Sequence, residues 1–101
     1  MKPIYDLHQI CSLISLRAYY ITGSAADGAA ELGMDDEDIL ECITVHLNES
    51  HFYKTMRAEK IPGLWQDVYR ITFEGCHIYL KLQINLAQKA VVISFKEDTS
   101  A

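Results

Sequence analysis

The apolar residues of this chain change period near Ser50, and that switch limits the fold more than any other feature. Before it they repeat every three or four residues: Leu7, Ile10, Cys11 and Ile14 form one stripe, and Ile39, Cys42, Ile43 and Leu47 form another. A stripe at that spacing is one face of an amphipathic helix. After it they alternate: Ile78, Leu80, Leu82 and Ile84 are interleaved with Tyr79, Lys81, Gln83 and Asn85. That is the period of a half-buried strand. Helices first and strands second imply an α+β domain, with the N-terminal helices packed on one face of an antiparallel sheet. The 101 residues suffice for a single domain, 1–101, with a helical part over about 1–50 and a sheet part over about 51–97.

Local signals refine this outline. Asp6 predicts the start of a helix over 6–17, with Gln9 completing a capping box and Tyr5 stapled against Ile10. The β-formers over 18–22 predict a short strand. Ser24 reads as the N-cap of a short helix ending at Gly33, and Asp35 as the next N-cap. Asp36, Glu37 and Asp38 then fall in a first turn, where the helix dipole favours acids. Gly23 and Gly28 are assigned to helix ends like Gly33. Strands are expected near 52–56, 65–72, 76–85 and 89–96, with turns at 60–63 and 74–75. Short connections make an antiparallel meander the simplest topology.

Several function classes find no support. No apolar run is long enough to cross a bilayer, and the first residues lack a signal peptide's apolar stretch, so a cytoplasmic location is expected. Cys11, Cys42 and Cys76 form no CxxC pair, which argues against a zinc or redox motif. His8, His46, His51 and His77 show no HxxxH or HExxH spacing; His51, beside Phe52-Tyr53-Lys54, is the one candidate auxiliary base. No metal or other cofactor is called for.

The net charge of −5 argues against a nucleic-acid partner, but it is unevenly spread. Residues 1–50 carry two bases against nine acids, and residues 51–101 carry seven bases against five acids. If the apolar sets of the strands share one side of the sheet, then Gln66, Arg70, Tyr79, Lys81, Ser94 and Lys96 gather on the other. Lys54 joins them from the first strand of the meander. For the last strand, simple alternation places Val91, Ile93 and Phe95 inward and Val92, Ser94 and Lys96 outward. A polar face is ordinarily a solvated surface. This one holds cations, a phenol and an amide, which suit a phosphodiester. Cleavage of RNA by its own 2′-hydroxyl requires a base, a cation for the developing phosphorane charge, and an acid for the leaving oxygen. No cluster of carboxylates suggests a two-metal alternative.

Four ordered segments carry a family resemblance. They are the run over 47–56 that contains Phe52-Tyr53-Lys54, then Trp65-Gln66-Asp67-Val68-Tyr69-Arg70, Ile78-Tyr79-Leu80-Lys81, and Ile93-Ser94-Phe95-Lys96-Glu97. Together they resemble the MqsR toxins of type II toxin–antitoxin systems. The resemblance implies a RelE/YoeB-like fold. It also implies ribosome-independent, metal-independent endonuclease action on mRNA at GC-containing triplets such as GCU. It places the family's catalytic residues at Lys54, Gln66, Tyr79 and Lys96, and substrate binding at Arg70 and Lys81. It further implies a cognate MqsA-like antitoxin with zinc-binding and helix-turn-helix domains. His51 stands where the family usually carries an acid, and the hairpin between Lys81 and Lys96 is two residues longer than usual. An even insertion keeps Lys96 on the face of Tyr79. The competing reading is a weakened toxin-like domain that only binds an antitoxin or RNA; an unrelated α+β interaction domain leaves the four motifs to coincidence.

Overall fold

The computed structural model describes residues 1–100. The first helix, α1 (Leu7–Ser15), is capped by Asp6, whose side chain accepts from the His8 N–H at 3.0 Å. The reciprocal bond of a capping box is not part of this cap; Tyr5 packs against the core that contains Ile10 and accepts the Trp65 N–H on its hydroxyl at 2.9 Å. Strand β1 (Tyr19–Ile21) follows. Helix α2 (Gly23–Glu31) is capped by Thr22, not Ser24; the Thr22 hydroxyl accepts from Ala25 N–H and donates to the Ile93 carbonyl. Thr22 wins because it also anchors the helix start to the sheet. Helix α3 (Asp36–Glu41) has the expected Asp35 cap and a reciprocal bond with Asp38, then widens into a π-helical turn over Cys42–His46.

The remaining strands are β2 (Phe52–Arg57), β3 (Trp65–Phe73), β4 (Cys76–Ile84) and β5 (Ala90–Glu97). They form the expected antiparallel meander. β1 adds parallel to β5, so the order is β1-β5-β4-β3-β2. Glu74 and Gly75 join β3 to β4 with φ of 51° and 75°, a two-residue hairpin whose left-handed residues match the strand twist. The helices cover one face. The core there contains Ile10, Ile14, Ala29, Ile39 and Ile43 from the helical half, and Tyr69, Ile78, Leu80, Leu82, Val92 and Phe95 from the sheet. No helix among the described residues is long and apolar enough to cross a membrane.

Three features depart from simple alternation or punctuation. Gly28 is not at a helix end: it lies inside α2, where a Cβ would run into the Phe95 carbonyl oxygen. Its absent side chain lets α2 lie directly on β5. In β2, Phe52 pairs with Tyr69 and Lys54 with Val68, so Tyr53 is the extra residue of a bulge. In β5, Lys81 pairs with Ser94 but Leu82 pairs with Val92, so Ile93 is the extra residue. The second bulge corrects the expected alternation: Val92 and Phe95 both point into the core, while Val91 and Ile93 fall on the open face.

Candidate active site on the open sheet face

The two bulges determine what the open face carries. Phe52 points into the core, 5.7 Å from the Tyr69 ring centroid and edge-on to it. Strict alternation would send Lys54 the same way; the bulge at Tyr53 returns Lys54 to the open side opposite Val68. Val68 is paired on its other side with Lys81, and Lys81 with Ser94. Lys54, Val68, Lys81 and Ser94 thus form one row across four strands, each step about 4.8 Å. A second row runs through Arg70, Tyr79 and Lys96. Along β4 the rows are joined by Tyr79 and Lys81, about 6.8 Å apart on one face.

Within this lattice the phenol rings collect the cations. The Lys96 and Lys81 ammonium groups lie 5.5 Å and 5.9 Å from the Tyr79 ring centroid. Lys54 Nζ lies 5.4 Å, and the Arg70 guanidinium carbon 5.0 Å, from the Tyr53 ring. Cations at these distances are attracted to the ring face. Lys81 is the central charge. Its partial burial, and then repulsion from Lys96 and Lys54, lower its pKa from the ordinary lysine value, with Glu59 opposing.

Of the expected residues, Tyr79, Lys81 and Lys96 are brought together directly. Lys54 stands on the far side of Val68 and reaches the site beside Tyr53. Gln66 pairs with Met56 and shares a cavity with Lys81 toward the β2–β3 connection. Arg70 is on the face, but its Nε donates to Asp98 at 2.7 Å. Asp98 is buried and also accepts from the Ser100 hydroxyl at 2.6 Å. The Ser100 hydrogen bond, followed by the Arg70 guanidinium, holds its carboxyl down at about 2.

Asp98 and Tyr53 join the site without belonging to the set that strand alternation predicts. The signal for Tyr53 was its place inside Phe52-Tyr53-Lys54; the contact of Asp98, 28 residues from Arg70, left no local trace. His51, the candidate auxiliary base, shares a cavity with Arg70 and Asp98. Its Nδ1 accepts the Asn48 N–H at 3.1 Å and closes the turn Glu49–His51 that leads into β2. Asp67 lies on the opposite side, fully buried, and accepts the Ile4 and Tyr5 N–H groups at 3.0 Å and 2.8 Å. Cys42 is buried in the core, where loss of solvation pushes its thiol up to about 12, the state of an inert thiol.

Comparison with known proteins agrees with the four motifs. The family model described as "Motility quorum-sensing regulator, toxin of MqsA" matches residues 2–97. The chain is also 36% identical over 95 residues to the mRNA interferase toxin MqsR of Escherichia coli (strain K12), covering 94% of each.

Proposed function

The chain belongs to the MqsR toxin family, and from that membership we propose that it is a sequence-selective endoribonuclease, the toxin of a type II toxin–antitoxin pair. The observation that carries the reading is the Tyr79 ring flanked by the Lys81 and Lys96 ammonium groups, with Lys54 two strands from Lys81, across Val68. Such a cluster suits a phosphodiester whose negative charge increases during reaction. In the proposed chemistry the RNA 2′-oxygen bonds to the adjacent phosphorus and the bond from phosphorus to the 5′-oxygen breaks. The products are a 2′,3′-cyclic phosphate and a 5′-hydroxyl. The proton of the 2′-hydroxyl passes to a base, and a second proton reaches the leaving 5′-oxygen. Tyr79 takes part in this proton transfer. Lys54 and Lys96 stabilise the phosphorane charge, Gln66 orients the substrate, and Lys81 and Arg70 hold phosphate oxygens. Arg70 retains its terminal nitrogens for this, because the contact with Asp98 runs through Nε.

The scheme needs neither a metal ion nor a ribosome, and the proposed targets are GC-containing triplets such as GCU in cytoplasmic mRNA. Its proposed inhibitor is an MqsA-like antitoxin with zinc-binding and helix-turn-helix domains. The test is cleavage of a defined RNA bearing GCU and control triplets, with EDTA and without ribosomes. Wild-type protein is expected to cut at discrete triplets and leave cyclic phosphate ends. Lys54→Ala and Tyr79→Phe are expected to lose about 100-fold or more. Full activity in both variants refutes the site. No cutting by folded wild-type protein transfers the reading to a toxin-like domain that only binds RNA or antitoxin.

A further inference from the structure

Beside the lysine row the open face is indented by a cavity of about 470 Å³, within the range of small-ligand sites. Two local devices make it. The bulge in β5 turns Ile93 outward onto the open face, and the β2–β3 connection curls back through Ala58 N–H to the Leu64 carbonyl and Leu64 N–H to the Ile61 carbonyl. Met56 and Ile93 supply apolar lining, and Gln66, Lys81 and Gln83 supply polar groups.

Gln83 has the features of a recognition group. It is only 8% exposed, and its Nε2 donates to the Trp65 carbonyl at 3.2 Å. A carbonyl oxygen can only accept, so this bond fixes which end of the amide is nitrogen. The amide oxygen, an acceptor, and the second N–H are left to a ligand. Gln83 lies two residues along β4 from Lys81 on the same face, about 6.8 Å away. That spacing is comparable with the separation between a nucleotide's phosphate and its base. A flat heterocycle between apolar side chains, read on its edge by a fixed amide, is how unpaired RNA bases are held.

We propose that this cavity is a nucleobase subsite for single-stranded RNA, taking the base of a nucleotide that flanks the scissile phosphodiester, and that Gln83 reads that base. The inference rests on the endoribonuclease reading for its substrate class, and it adds a specificity-determining residue outside the phosphodiester cluster. Gln83→Met removes the amide at similar volume, and Ile93→Ala removes one apolar wall without touching the Trp65 contact.

The experiment measures cleavage of RNAs that vary one base at a time around the cut. Gln83→Met is expected to reduce the preference at one position about three- to tenfold, the value of one lost hydrogen bond, with the same bond cut and other positions unaffected. Ile93→Ala is expected to weaken the same position. A merely structural Gln83 would lower all substrates by one factor and leave every ratio unchanged; that result overturns the inference while the nuclease reading stands. Should wild type cut nothing, the nuclease reading falls. Binding of 2′-O-methyl trinucleotides, followed by the fluorescence of the single tryptophan, Trp65, then decides the subsite by itself. Base-dependent binding lost in Gln83→Met upholds it; base-indifferent binding, or none, overturns it.

Discussion

Replacing Gly28 by alanine sets two effects of known sign against each other. Inside a helix, alanine is favoured over glycine by about 1 kcal/mol, so propensity alone makes Gly28→Ala stabilising. The new Cβ, however, falls far inside contact with the Phe95 carbonyl oxygen and 3.2 Å from the Lys96 Cβ. The obstacle is strand backbone, which cannot rotate away as a side chain can. Forced overpacking costs about 1–3 kcal/mol, and a rigid backbone obstacle places this case near the upper end, about 3 kcal/mol. The difference is a net loss of about 2 kcal/mol, or about 10 °C in Tm for a domain of this size. Gly23→Ala is the control, because nothing lies within 4 Å of a Cβ built there. Urea and thermal unfolding of the two variants measure the effect. A second consequence is lateral: pushing α2 off β5 moves Lys96, so RNA cleavage per folded molecule falls as well. A Gly28→Ala protein as stable as wild type refutes the claim that close approach, rather than a helix end, explains this glycine.

Other perturbations probe the long-range contacts. Asp67→Ala leaves the Ile4 and Tyr5 N–H groups without their acceptor and is expected to cost about 3 kcal/mol; an unchanged urea midpoint would show that the N-terminal segment adds nothing. The Asp98 carboxyl is depressed to about 2, so its contribution is complete above the ordinary carboxyl value and is lost as pH falls through about 2. Asp98→Asn is therefore expected to flatten the acid limb of stability between about pH 4 and 2, and an unaltered limb refutes this. Lys81 has a lowered pKa with Glu59 opposing the shift, so cleavage that depends on its ammonium declines on the alkaline side below the ordinary lysine range. Glu59→Gln moves that decline to lower pH and Lys81→Arg moves it higher; pH–rate profiles that superimpose on wild type contradict the role.

The order of elements and most of the open face are legible along the chain. Its hydrophobic period is local, and so are caps such as Asp35 and the Glu74-Gly75 turn, so both can be read along the chain. Gln66, Arg70, Tyr79 and Lys81 follow from alternation on β3 and β4, the two strands that run without a bulge of their own. On β2 and β5 an extra residue inverts the alternation partway along the strand. Lys54 reaches the face only because Tyr53 is such a residue, and Ile93 turns outward against its expected direction for the same reason. A bulge depends on register with the neighbouring strand, which no local pattern records. The Gly28 contact with β5, the Asp67 clamp on the first residues and the Arg70–Asp98 pair also join distant positions. They are settled by packing, because each exists where two separately legible elements meet.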